Sequence, residues 1–329
     1  MKTFDYTRAE SADHAVALLG RDPDARILAG GTNLVDLMKL GVEQPGSLVD
    51  VTRLPLDDIT EQPGGGLRIG AGVRNSDLAA HPQVRQRYPV LAEAVDNGAS
   101  GQIRNMATTA GNLLQRTRCR YFQDVAMPCN KRHPGSGCPA IDGEHRNLAI
   151  IGASEHCVAT HPSDMAVALA ALDTTVIILG PDGQRRLPIE ELYLPPGDTP
   201  HREYALARDE IILAVEIPNV PGEPRSTYRK VRERASYAFA LASCAAVLTM
   251  AGPEIADVRL AFGGIAPKPW RAHRAESWLR GRSPDPDTIV AAVDRELADA
   301  RPLRDNAYKI PLLRGLTVAT ITELAEDPS

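Results

Sequence analysis

The sequence predicts an α+β protein. Up to about residue 220, short β-branched runs alternate with helical spacing of apolar residues, and beyond it strands come first and helices close the chain. Between the two patterns lies Val220-Pro221-Gly222-Glu223-Pro224, a run that neither a helix nor a central strand accommodates. It is the best domain boundary in the chain, giving an expected division into residues 1–222 and 223–329. A chain of 329 residues is long enough to bury more than one core.

The elements follow in order. Residues 26–29 read as a short strand, and Gly30-Gly31-Thr32-Asn33 lead into helical spacing over residues 34–40, with Thr32 or Asn33 as the expected N-cap. A strand, paired glycines and a helix start suit a phosphate, because the backbone can approach closely and free amides face the anion. A plain strand-to-helix turn has the same pattern, so both readings stand. Residues 67–75 form a second strand with glycines, but Asn75 occupies the place of the third glycine in the dinucleotide fingerprint. Residues 90–98 read as a helix ended by Gly98. Asp164 to Leu172 is a buried helix capped by Ser163. Thr174 to Leu179 is a strand turned back by Pro181-Asp182-Gly183, and Ile211 to Ile217 is a strand halted by Pro218. Thr227 to Arg232 is a strand with Lys230 and Arg232 on one face. Tyr237 to Met250 is apolar enough for helix or strand. Val258 to Ile265 is a strand ending at Gly263-Gly264, and three amphipathic helices follow near 270–280, 286–300 and 311–325.

Composition narrows the function. The net charge of −5 gives no electrostatic support to nucleic-acid binding. No apolar run approaches the roughly 20 residues that span a bilayer. The start, Met1-Lys2-Thr3-Phe4-Asp5-Tyr6, has neither an apolar h-region nor twin arginines, so export is expected to need a partner that carries the signal.

Of five cysteines, Cys119, Cys129, Cys138 and Cys157 fall within 39 residues, while Cys244 sits in an apolar run and reads as a small buried hydrophobe. The spacers of the four are nine, eight and eighteen residues. Structural zinc sites favour ligand pairs two to four residues apart, and ferredoxin runs are also absent, so spacing does not assign a metal. Iron–sulfur and zinc both stay open on that ground. Arg116, Arg118, Arg120, Lys131 and Arg132 face a single acid, Asp124, in this stretch, a field expected to favour thiolates and an anionic cluster. Pro128, Pro134, Gly135, Gly137 and Pro139 hold the segment as loop.

Ala29-Gly30-Gly31-Thr32-Asn33 with Asp36-Leu37-Met38-Lys39 resembles the first flavin-binding loop of the FAD subunits of molybdenum hydroxylases, the xanthine dehydrogenase and carbon monoxide dehydrogenase superfamily. Ile103-Arg104-Asn105 with Ala107-Thr108-Thr109-Ala110-Gly111-Asn112 resembles their second loop, although Ala110 stands where many members have a glycine. Pro162-Ser163-Asp164, Tyr228-Arg229-Lys230 and Gly263-Gly264-Ile265-Ala266-Pro267-Lys268-Pro269 resemble later family positions. The cysteine run, with Pro128-Cys129-Asn130-Lys131-Arg132 and Pro134-Gly135-Ser136-Gly137-Cys138, is similar to the FAD subunits of bacterial periplasmic aldehyde oxidoreductases, which carry a [4Fe–4S] cluster as well as FAD.

The resemblance implies a fold, a role and a site. The fold is a two-part FAD-binding domain of the PCMH (vanillyl-alcohol oxidase-like) type, with an inserted iron–sulfur loop at 115–160. A C-terminal α+β domain of the CO dehydrogenase flavoprotein type follows. The role is electron transfer within a heterotrimer: a large molybdenum-cofactor subunit, a small [2Fe–2S] subunit and an external electron acceptor are the implied partners, with no nucleic acid and no membrane insertion. The compartment is the periplasm by co-export, or otherwise the cytoplasm. Ala29, Gly30, Gly31, Thr32, Asn33 and Leu34 are expected at the pyrophosphate. Thr108, Gly111 and Asn112 are expected along the cofactor, Asp164 at ribose or ribityl hydroxyls, and Lys230 near the flavin or a phosphate. Cys119, Cys129, Cys138 and Cys157 are the implied cluster ligands. No catalytic residue is expected. Without the resemblance, Asp164 is a helix N-terminal acid and Lys230 a solvated strand lysine. The rival functions are a stand-alone FAD oxidoreductase of the same fold and a metal-stapled scaffold without activity.

Overall fold

The computed structural model describes residues 1–222 and 224–326. The expected division between 222 and 223 falls on Glu223, which, with residues 327–329, lies outside the described residues.

Three sheets carry the chain. Strands β1 (Asp5–Arg8), β2 (Ala25–Leu28) and β3 (Ser47–Asp50) form a parallel sheet in the order β1-β3-β2. The parallel step from β1 to β2 is made by helix Ala12–Arg21, which Ser11 caps by accepting from the His14 N–H. An antiparallel sheet follows in the order β4-β5-β8-β6-β7, from β4 (Ile59–Glu61), β5 (Leu67–Gly70), β6 (Thr175–Gly180), β7 (Gly183–Pro188) and β8 (Ile211–Ile217). Its central strand β8 is buried at every residue. The third sheet, β12-β11-β10-β9, is also antiparallel and contains β9 (Arg225–Val231), β10 (Ala242–Ala251), β11 (Glu254–Gly263) and β12 (Trp270–Arg271).

Period-two alternation distributes these sheets among the cores. In β6, Val176 and Ile178 enter the main core, while Ile177 and Leu179 face the core under the β1–β3 sheet. In β10, Ala245 and Val247 join the main core, and Ala242, Cys244, Ala246 and Leu248 join the core under helices His273–Leu279, Pro286–Glu296 and Lys309–Glu326. That alternation resolves residues 242–250 of the apolar run at 237–250 as strand, while residues 237–241 lie outside it. Cys244 is fully buried there, as expected of a small hydrophobe.

Helix Asp164–Ala171 packs on the third sheet, shares the main core with residues of β5, β6 and β8, and is buried along its whole length. Its apolar residues run all round the helix, the pattern of a core helix. Burying Met165 and Leu169 stabilises the fold by roughly 1.5–3 kcal/mol each.

Two elements differ from expectation. The strand expected over 67–75 ends at Gly70, and Asn75 opens helix Asn75–Ala80. Its glycines serve packing: a Cβ on Gly70 would stand 2.1 Å from the Leu56 carbonyl oxygen. The helix expected over 90–98 is Pro89–Asp96.

Candidate functional site

Two backbone turns meet at one end of the first two sheets. Strand β2 delivers Ala29-Gly30-Gly31-Thr32-Asn33 to the short helix Leu34–Lys39. Gly31 has φ 72°, which glycine adopts freely. A Cβ on Gly30 would stand 1.9 Å from the Met106 carbonyl oxygen, so the first turn lies directly against the second. The second turn is fixed by backbone bonds from Asn75 N to Ala107 O (2.9 Å), Thr109 N to Val73 O (2.9 Å) and Ala110 N to Ala71 O (3.0 Å). Thr108 caps helix Thr109–Leu113 by accepting from the Gly111 N–H at 3.2 Å. Asn112 Oδ1 accepts from the Ser163 hydroxyl at 2.6 Å, and Ser163 in turn caps helix Asp164–Ala171.

The first turn is rich in unused donors. Among the described backbone–backbone bonds, none is donated by the N–H groups of Gly30, Gly31, Thr32 or Asn33. Asn33 Nδ2 is buried with no partner among the described residues. The expected N-cap at Thr32 or Asn33 is not made. Asn33 occupies the cap position with helical backbone angles, but its side-chain carbonyl accepts instead from the Arg116 N–H at 2.9 Å.

Asp164 is engaged by the protein itself. Its carboxylate, 8% exposed, accepts from the Tyr228 hydroxyl and from Lys230 Nζ at 2.7 Å. Lys230 also donates to Asn97 O at 3.1 Å, as does Arg232 at 3.2 Å, so the two cations reach the same carbonyl although Arg232 lies one residue beyond β9. Burial pushes the Asp164 carboxyl up, against the opposing Lys230 ammonium and Tyr228 hydroxyl. Asp164 and Lys230, expected at different parts of a cofactor, are thus each other's partners.

Residues 115–163 contain one turn of helix among the described residues, Arg120–Gln123. Arg132 holds the loop by donating to the carbonyls of Tyr121 and Phe122, each at 2.7 Å, and to that of Met127. Cys119, Cys129, Cys138 and Cys157 are all free thiols and line one small pocket that is partly open to solvent. Among the described residues, no group of three or more His, Cys, Asp or Glu side chains closes on a single-ion site. Burial pushes the Cys119 thiol up to about 11 and raises those of Cys138 and Cys157.

The cationic field expected from the sequence is largely spent elsewhere. Arg116 pairs with Glu43 and with Glu203 at 2.6 Å, and Arg120 pairs with Glu144 at the surface. Arg132 is turned to carbonyls, and Arg118 lies over the Phe239 ring at 5.2 Å. Of the five cations, only Lys131 lines the thiol pocket. Without bound metal, burial therefore outweighs the field, and these three thiols are protonated at neutral pH.

Comparison with known proteins bears on both parts. The profile of the FAD binding domain in molybdopterin dehydrogenase matches residues 2–220, and that of the CO dehydrogenase flavoprotein C-terminal domain matches residues 226–324. The chain belongs to the FAD-binding subunits of the molybdenum hydroxylase family.

Relatives of this FAD-binding subunit include the Escherichia coli aldehyde oxidoreductase FAD-binding subunit PaoB, 49% identical over 98% of both chains. The Hydrogenophaga pseudoflava carbon monoxide dehydrogenase medium chain is 28% identical over 92% of this chain and 88% of its own. A solved structure of carbon monoxide dehydrogenase from that organism superposes with TM-score 0.76 at 26% identity, covering 97% of this chain and 96% of its counterpart. The fold and FAD binding expected from the sequence are therefore those of the family.

The first turn fits a dinucleotide flavin. Its spare amides and the orphaned Asn33 amide are donors for a pyrophosphate, and the Gly30 approach leaves no room for a side chain. The helix behind it has only six residues, so the turn amides rather than a long helix dipole supply the attraction. Glu203 and Tyr204 were not signalled by the sequence. Glu203 receives Arg116 and Lys131, and the Tyr204 hydroxyl donates to Gln115 O at 3.1 Å. They follow a Pro-Pro-Gly loop that carries no motif, so only the fold brings them to residues 115–131.

Proposed function

We propose that the chain is the electron-transfer flavoprotein of a heterotrimeric, molybdenum-dependent aldehyde oxidoreductase. In this reading a large subunit oxidises the aldehyde at a molybdenum cofactor, and electrons leave through a small [2Fe–2S] subunit. This chain delivers them to an external acceptor. FAD, when bound, supplies the capacity to take electrons and release them singly or in pairs.

The chain's own residues bind, orient and enclose. The amides from Ala29 to Leu34 hold the pyrophosphate. Thr108, Gly111 and Asn112 form the adjoining wall, and the pair of turns at Gly30 and Met106 sets its position. Asp164 would accept from ribose or ribityl hydroxyls, and Lys230, its ion-pair partner, would lie near the flavin or a phosphate. The single observation behind this reading is the contact of the two turns, with four spare backbone donors on the first.

Cys119, Cys129, Cys138 and Cys157 hold one [4Fe–4S] cluster. Support comes from four free thiols that line one pocket, since four thiolates at one site are the ligand set of a cubane. Binding then requires the loss of the thiol protons.

We place the assembly in the periplasm, exported with a signal-bearing partner. The support is the similarity of the cysteine run to periplasmic enzymes, and cell fractionation tests it.

Anaerobic aldehyde reduction tests the role. The complex co-purified with its natural subunits should bleach its flavin when an aldehyde substrate is added, and the chain alone should not. Bleaching of the chain alone would favour a stand-alone flavoenzyme.

A further inference from the structure

The thiol pocket and a neighbouring cavity share one wall residue, Lys131. The second cavity is lined by His161, Tyr193, Glu203 and Tyr204, among others. Lys131 reaches between them with a side chain only 10% exposed. Its ammonium donates to Pro200 O at 3.2 Å and lies 3.4 Å from a Glu203 oxygen. Glu203 is itself fixed by Arg116, which also binds Glu43. The lysine cannot swing freely into water without breaking this buried chain of contacts.

Lys131 is also part of the wall of the thiol pocket itself. The other cations of the loop are neutralised by carboxylates, donate to carbonyls or stack on a ring, and none of them lines the pocket. Glu203, the acid that partly offsets Lys131, lines only the second cavity. The order from the thiols outward is therefore lysine first, carboxylate behind.

We propose that Lys131 is a positioning charge for the cluster site, held by Glu203 and Pro200, and that it sets the site's reduction potential. This rests on the iron–sulfur reading above. Each electron added to a thiolate-bound cluster increases the negative charge at the site by one. A fixed cation at the wall stabilises that added charge more than it stabilises the oxidised form. Removing it makes reduction harder, so the potential falls. Loss of a cation that only braced the loop would change stability and leave the potential alone.

The test uses the full chain purified with its natural subunits, in wild-type, Lys131→Met and Lys131→Arg forms. Iron content is measured first, and then the midpoint potential of the cluster by dithionite titration followed by electron paramagnetic resonance. Dithionite supplies the electron, so no aldehyde turnover is needed. Lys131→Met should retain iron and titrate at a more negative potential, and Lys131→Arg should return most of the way to wild type. Retained iron with an unchanged potential in Lys131→Met would overturn the tuning role and leave the cluster assignment intact. Iron loss in Lys131→Met would make Lys131 a loading residue, which also overturns it. A wild-type protein without iron would remove the cluster assignment itself, and the tuning role with it.

Discussion

The Asn33 side-chain carbonyl accepts the backbone N–H of Arg116 at 2.9 Å, tying the glycine turn to the first residues of the cysteine loop across 83 positions of sequence. Leu37, on the helix that follows the turn, is buried in the same cluster as Cys119, Phe122 and Cys157. Flavin wall and cysteine pocket are thus two sides of one packed layer, and damage to one should be felt at the other.

Asn33→Ala should show this coupling. It strands the Arg116 N–H, a cost of about 1–3 kcal/mol for a buried donor. The flavin-to-protein ratio and the melting temperature should both fall. An unchanged ratio and melting temperature would mean that the bond is incidental.

Gly30→Ala should be more severe than its size suggests. The new methyl would sit 1.9 Å from the Met106 oxygen, forcing the two turns apart. Gly101→Ala, beside the same second turn, finds open space and is the control. Flavin loss in the first variant and retention in the second is the expected pair of results from absorbance spectra. Equal flavin content in both would contradict the role of the close approach.

Asp164→Asn should destabilise the chain by roughly 3–5 kcal/mol, because it leaves a buried ammonium without its counter-charge. The Lys230 side chain is 1% exposed, so water cannot take the carboxylate's place. Adding Lys230→Met should recover part of the loss in urea denaturation. A double variant less stable than Asp164→Asn would argue that Lys230 is held mainly by Asn97.

Acid should loosen the wall between the sites through His161. Burial holds this imidazole down to about 4, against an ordinary value of 6.5. The folded protein therefore binds fewer protons than the unfolded chain between those values, and stability falls as pH drops from about 6.5 toward about 4. The size is on the order of 3 kcal/mol for such a shift. His161→Gln should flatten that part of the stability–pH curve. An unaltered slope would assign the acid sensitivity to other groups.

Local signals exposed much of this molecule. The β-branched runs, the Pro-Gly punctuation and the Ser163 cap placed most strands and the buried helix within a residue or two. The glycine turns were visible because only close backbone approach requires them. Strands β1 and β3 and helix Ala12–Arg21 were not, and β1 is exposed at all four residues with no alternation to mark it. Charge was misjudged for a related reason. A count of arginines near the cysteines cannot show that Glu43 and Glu203 return from distant segments, and Glu144 from later in the same loop, to neutralise them. Asp164 and Lys230 were legible as functional residue types, but their mutual pairing depends on how β9 packs against the helix.

The most direct test of the account is a joint determination of flavin, iron and sulfide on the purified chain and on Cys129→Ser. The account predicts one FAD with about four irons in the wild type, the cubane stoichiometry, and flavin with most of the iron gone in the variant. A wild-type chain that binds flavin but no iron, or a variant with its iron intact, would contradict the assignment of the four cysteines.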